Sequence, residues 1–181
     1  MQIVQIIAPV EKSISLVDAK GFLRVLESDD DVVIQNIIDA VEEHTQNVLN
    51  RQLEIATYEL YTDDFIFKLP KNPIVSVDKI EYMDESGAYV VLDSTTYYLY
   101  EKNGIGFISY SEIPLIKEYK KAVKITFVAG YETVPKPIKS YMRVKIANYY
   151  ENREEYVIGV SSTEVANGFI DNLIKPYRVR P

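Results

Sequence analysis

The sequence predicts an α+β fold with helices towards both ends of the chain and β-strands between them. Three observations carry this reading. Between Val33 and Leu49, residues Ile34, Ile37, Ile38, Val41, Thr45 and Val48 recur at three and four residues, the spacing of one face of a helix. From Tyr58 to Ala129 the pattern changes to short runs rich in β-branched and aromatic residues, punctuated by Pro70 and Pro73. Beyond Gly130-Tyr131, Pro135-Lys136-Pro137 restarts the chain as a helix, because proline is tolerated in a first turn whose N–H groups have no internal partner.

The elements follow in order. Ser15 is placed to cap a short helix, with Asp18 three residues on favouring its positive end. Leu16, Ala19, Phe22 and Leu23 share one side of that helix, which should end near Leu26. The acidic run Glu27-Ser28-Asp29-Asp30-Asp31 lacks the alternating ligands and central glycine of a calcium loop, so capping of the next helix is its expected role. That helix should close at Asn50-Arg51. Strands are expected at Tyr58–Tyr61, Phe65–Leu69 and Ile74–Tyr82, then at Val90–Leu92, Tyr97–Tyr100 and Phe107–Tyr110. The clearest is Ala122–Ala129, where Val123, Ile125 and Phe127 alternate with Lys124 and Thr126, one face packing and the other basic or wet. A helix from about Pro135 to Asn152 carries an apolar stripe of Ile138, Tyr141, Met142, Ile146 and Tyr149. Residues 156–164, with Gly159 and two serines, read as a flexible loop. Val165–Ile174 reads as a short helix weakened by Gly168, and the basic tail 175–181 as extended.

Composition bounds the function. The chain has 181 residues, 47% of them apolar, enough to build a core without a staple. It has no cysteine, which excludes disulfides, thiolate zinc sites and cysteine nucleophiles. No signal peptide is legible at the N-terminus and no run reaches a membrane span, so a soluble intracellular protein without a membrane partner is expected. The net charge of −7 argues against a chain that coats nucleic acid. Residues 1–90 carry 7 Lys/Arg against 17 Asp/Glu, net −10, and residues 91–181 carry 13 against 10, net +3. Such a split can bring unlike surfaces of two copies together.

No catalytic constellation emerges. The one histidine, His44, sits within the long helix and cannot form a paired-histidine site. No glycine leads into a phosphate-binding Gly-Lys-Ser/Thr, and no hydrolase serine elbow is present. No catalytic residue, metal ligand or cofactor is therefore assigned, and the chain is not expected to be an enzyme. Fifteen tyrosines and no tryptophan suit sheet surfaces and interfaces, with Tyr97-Tyr98 and Tyr149-Tyr150 expected to be half core and half interface.

Four stretches together resemble one family. They are SLVDAKGFLRVL at Ser15–Leu26, DDVVIQNIIDAVEEHTQNVLNR at Asp30–Arg51, LPKNPIVSVDKIEY at Leu69–Tyr82, and VKITFVAGY at Val123–Tyr131 with VPKPIKSYMRVKIANYYENRE at Val134–Glu154. In this order they resemble the head–tail connector (adaptor) proteins of long-tailed bacteriophages and prophages, and NLIKPYR at Asn172–Arg178 also fits.

The resemblance implies a single connector domain over 1–181, a helical bundle (about 15–51 and 135–174) interrupted by a small antiparallel β subdomain (about 52–131). It implies a structural subunit of a ring, typically twelvefold, that joins portal protein to a tail-side completion protein and surrounds the DNA channel. The subunit would be made in the bacterial host cytoplasm and end in the virion. Alternatives are a stopper or tail-completion protein of the same particle, or a stand-alone nucleic-acid-binding module using Lys120, Lys121, Lys124, Lys136, Lys139, Arg143 and Lys145. Within the connector reading, Lys120, Lys121, Lys136, Lys139 and Arg143 are candidates for transient, sequence-independent DNA contact or for contact with a neighbour. Val165, Phe169, Leu173, Ile174, Tyr177 and Arg178 are candidates for an assembly interface.

Overall fold

A computed structural model describes residues 1–116, 118–152 and 168–179 of the protein. The chain divides into two units. Glu11–Leu53 and the described residues from Thr133 onwards form a helical unit, and Met1–Val10 with Glu54–Glu132 form a β unit inserted between its two halves.

The helical unit contains α1 (Leu16–Leu23), α2 (Asp31–Leu49), α3 (Lys136–Glu151) and α4 (Gly168–Ile174), the last running into a 3-10 turn at Lys175–Tyr177. Ser15 caps α1 as its spacing predicts: its backbone is extended, and its Oγ accepts from the Asp18 N–H at 3.1 Å. α1 stops earlier than expected, because Arg24 turns into the left-handed region at φ 59° and donates its N–H to the Lys20 carbonyl. Only Ala19 of its expected apolar side is buried.

α2 is the centre of this unit. Ile34, Ile38, Val41, Thr45 and Leu49 are buried, and Thr45 Oγ1 returns to the Val41 carbonyl at 2.6 Å. Asn50, left-handed at φ 52°, closes the helix where the sequence places its end. α3 packs on α2 through Ile138, Tyr141, Met142 and Ile146. Tyr149, expected on the same stripe, is 52% exposed instead, because it lies in the last turn of α3, past the buried stretch from Ile138 to Ile146.

The acidic run departs from its expected role. Asp30 occupies the N-cap position of α2 but makes no capping bond there. Its carboxylate accepts from the Tyr150 hydroxyl of α3 at 2.5 Å, and Asp31 pairs with Lys20 of α1 at 2.5 Å. The aspartates thus bind three helices to one another, whereas a cap would serve α2 alone. The tail departs as well: after the 3-10 turn, Val179 is buried and donates its N–H to the Leu49 carbonyl at 2.9 Å. The loop expected at 156–164 lies outside the described residues.

The β unit contains β1 (Gln2–Ile7), β2 (Ala56–Thr62), β3 (Ile74–Met83), β4 (Tyr89–Val91), β5 (Tyr97–Lys102), β6 (Ile105–Tyr110) and β7 (Val123–Ala129). Five strands form an antiparallel sheet in the order β1-β2-β7-β3-β4, while β5 and β6 form a separate hairpin. β7 pairs on both edges, so its expected wet face is partly covered: Thr126 is buried, and Lys124 is paired with Glu81 of β3 at 2.6 Å. Leu60, Ile80, Ile108, Ile125 and Phe127 are fully buried, with Tyr58 stacked on Phe127 at 5.6 Å.

Two strand expectations need correction. β1 was not foreseen, and Phe65–Leu69 is not a strand. Asp64 bends the chain, accepting from the Phe65 N–H at 2.7 Å, and Lys68 makes one isolated bridge to Phe107 before Pro70 interrupts pairing. Gly130 has a steric reason to be glycine. At φ 130° a Cβ there would lie 2.2 Å from the Glu54 carbonyl oxygen, where Glu54 and Tyr131 form a parallel bridge.

Candidate assembly surfaces

The C-terminal candidates fall on the helical unit. Ile174 is buried and Leu173 half-buried, so α4 rests its apolar side on its own chain. Tyr177 is half-buried, and its carbonyl accepts from Arg51 Nε, which ties the turn to the end of α2. Arg178 is exposed. Val165 lies outside the described residues, as does the side chain of Phe169.

Ile174 and Arg178 border a cleft of about 320 Å³. Its apolar wall is completed by Val48 and Leu49 of α2 and Tyr141 of α3. His44, Lys145, Asp171 and Lys175 complete the lining, so three permanent cations face one carboxylate. Lys145 Nζ lies 5.3 Å from the Tyr141 ring centre. Burial pushes the Tyr141 hydroxyl above its ordinary pKa, and the Asp171 carboxylate adds to this, so it remains a neutral hydrogen-bonding group.

The five basic candidates separate into two groups. Lys136, Lys139 and Arg143 lie on α3 at spacings of three and four, Lys136 exposed and the other two half-buried. Arg143 also borders a second depression with Asp18, Phe22, Ser140 and Val144. Lys120 and Lys121 belong to the β unit, in the turn before β7. Lys121 is left-handed at φ 61° and firmly held: its N–H donates to Asp63 at 2.8 Å, its carbonyl accepts from the Tyr89 hydroxyl at 2.5 Å, and its ammonium lies 5.5 Å from the Tyr61 ring centre. Lys124 is held by Glu81, and Lys145 faces the cleft. Burial would raise the Glu81 pKa, but hydrogen bonds from Lys124 and Lys79 bring it below its ordinary value.

Both tyrosine pairs divide. Tyr97 is half-buried against the β core, and Tyr98 is 62% exposed. Tyr149 is exposed, whereas Tyr150 turns inward to Asp30. On β5 and β6, Tyr100 stacks on Phe107 at 5.5 Å beside Tyr98, giving the hairpin an aromatic outer face.

Three exposed apolar residues have no counterpart in the sequence reading. Leu26, where α1 was expected to end, is 91% exposed in the turn to α2, with Val17 at 79% and Val32 at 74%. Helical periodicity identifies which residues share a face but not whether that face has a partner.

Among the described residues no group of His, Asp or Glu is placed to hold a metal ion, and His44 is exposed on α2. These surfaces offer recognition through apolar walls, fixed cations and exposed aromatic rings.

Comparison with known proteins is consistent in kind. A family model described as "Phage gp6-like head-tail connector protein" matches residues 13–119. Three solved chains share the fold, each aligned over 100% of this chain and 97% of its own. One, from "Virion of native gene transfer agent (GTA) particle", has a TM-score of 0.80 at 18% identity. A second, from "Neck of empty GTA particle computed with C6 symmetry", scores 0.78 at 18%. A third, from "Neck of native GTA particle computed with C12 symmetry", scores 0.74 at 17%. No curated protein matches the sequence.

Proposed function

Because the chain belongs to the phage gp6-like head–tail connector family, we propose that it is a subunit of a ring that joins the portal to a tail-side completion protein and surrounds the DNA channel. The observation that carries this reading is the family match over residues 13–119, supported by whole-chain likeness to proteins of GTA particles, one of them from a neck with C12 symmetry. Twelve copies are the expected number. The role is structural and the place of action is the virion, after assembly in the host cytoplasm. No helix among the described residues is long and apolar enough to cross a membrane.

A ring requires one surface of a subunit to meet a different surface of the next. The C-terminal residues Leu173, Ile174, Tyr177 and Arg178, with Val165 and Phe169, are the proposed assembly element. Because Ile174 is already buried within its own unit, the part offered to a neighbour is the rim made by half-buried Tyr177 and exposed Arg178. Lys136, Lys139 and Arg143, with Lys120 and Lys121, are proposed to face the channel or a neighbour. DNA must slide past, so any contact is with phosphate and independent of sequence.

Deleting the gene and restoring it in trans tests the reading. The connector role predicts DNA-filled heads without tails, and recovery of tailed particles on restoration. Normal numbers of infectious tailed particles without the protein would overturn it.

A further inference from the structure

The helical unit carries two features at opposite ends of α2. At the N-terminal end, the α1–α2 turn presents Leu26, 91% exposed, followed by the exposed acids Glu27 and Asp29. The other acids of this run are engaged within the chain, Asp30 with Tyr150 and Asp31 with Lys20. At the C-terminal end, the cleft combines an apolar wall of Val48, Tyr141 and Ile174 with the cations Lys145, Lys175 and Arg178.

We propose that the Leu26 turn of one copy docks into the α2–α3–α4 cleft of the next. This rests on the ring reading above and names the contact that closes the ring. Two properties match: a protruding leucine meets a cleft with an apolar wall, and Glu27 and Asp29 meet Lys145, Lys175 and Arg178.

The occupant is a second copy rather than the chain's own turn, for a geometric reason. Asp31 and Val48 lie 17 residues apart on one continuous helix, which at 1.5 Å per residue separates them by about 26 Å. A subunit cannot bend its own turn into its own cleft. A contact between two different surfaces is heterologous, so repetition gives a closed ring or an open filament. The exposed large apolar residues of the helical unit support the same assignment: among those described, all but Tyr149 fall between Val17 and Val33.

The absence of cysteine makes the test clean. Leu26→Cys and Lys175→Cys are prepared as two single variants of the full chain, mixed at concentrations where the unmodified chain associates, and oxidised. The mixture should give a covalent dimer, each variant alone should give none, and the double variant should give a ladder of oligomers. A dimer from Leu26→Cys alone would mean a symmetric contact and overturn the proposal. Association of the unmodified chain without any mixed cross-link would overturn this contact and leave the ring reading standing. An unmodified chain that stays monomeric up to millimolar concentration and gives no cross-link would overturn both.

Charge exchange provides a second measurement. Glu27→Lys with Asp29→Lys should weaken association at least tenfold, and Lys175→Glu with Arg178→Glu in the partner should restore it. Failure of the restoration, with both variants folded by circular dichroism, would also overturn the proposal.

Discussion

The two units are held together in different ways. The β unit is held by ladders: β7 pairs along its length with β2 and β3, burying Ile125 and Phe127 among Leu60, Ile80 and Tyr58. The helical unit is built from two stretches separated by the β insertion. It has apolar packing along α2, but single polar contacts join its distant parts: Tyr150 to Asp30, Arg51 to the Tyr177 carbonyl, and Lys12 to Glu42 at 3.0 Å. One unit is therefore robust to the loss of any one polar contact. The other is sensitive to such losses and leaves Leu26, Val17 and Val32 uncovered. A subunit that must be completed by neighbours is expected to look like the second.

The strongest way to break this comparison is Ile38→Asp. Ile38 is fully buried on α2, and an unpaired charge there costs several kcal/mol. The helical unit should unfold, seen as loss of helical circular dichroism; a melt unchanged within error would refute the assigned face. Next is Phe127→Ala in the β unit, which should cost about 3–5 kcal/mol. Its effect should appear in hydrogen exchange of β2, β3 and β7, whereas equal loss of protection in α2 and α3 would erase the distinction between the units.

Tyr150→Phe is smaller and sharper. It removes only the hydroxyl that donates to the Asp30 carboxylate, a bond to a charged group worth about 1.5–3 kcal/mol. The expected result is faster exchange at the start of α2 and the end of α3, with the β sheet unchanged. A thermal midpoint equal to that of the parent would show that this bond does not hold the helices.

The smallest expected effect is titration of Glu81. Its pKa is lowered from 4.5 in the fold by Lys124 and Lys79, against the opposing effect of burial. The contribution is therefore complete above the unfolded value and is lost as pH falls through the folded one. Glu81→Gln should flatten the acid-induced loss of stability below about pH 4.5. An acid profile identical to the parent's would remove Glu81 from the account.

The same contrast separates what the sequence reveals from what it hides. The bounds of α2 and the start of α3 were legible, because apolar spacing, Pro137 and the Asn50 stop are local signals. β1 was hidden because an apolar run has no partner until β2 is placed beside it. Phe65–Leu69 misled because strand-like composition cannot show that Asp64 and Pro70 interrupt pairing. The acidic run was legible as polar, but its attachment to Lys20 and Tyr150 depends on residues up to 120 positions away. Of the candidate surfaces, the cations and the C-terminal residues could be named from sequence. The cleft and the exposure of Leu26 required the packing of helices to be known.

The measurement that tests the central claim most directly is the position of the protein in particles made by the strain that encodes it. A gold-labelled antibody against the chain should mark one vertex per particle, between head and tail, with averaged images resolving a closed ring around the channel. Label spread over the whole head, or particles that complete their tails with none of the protein in them, would contradict the connector account.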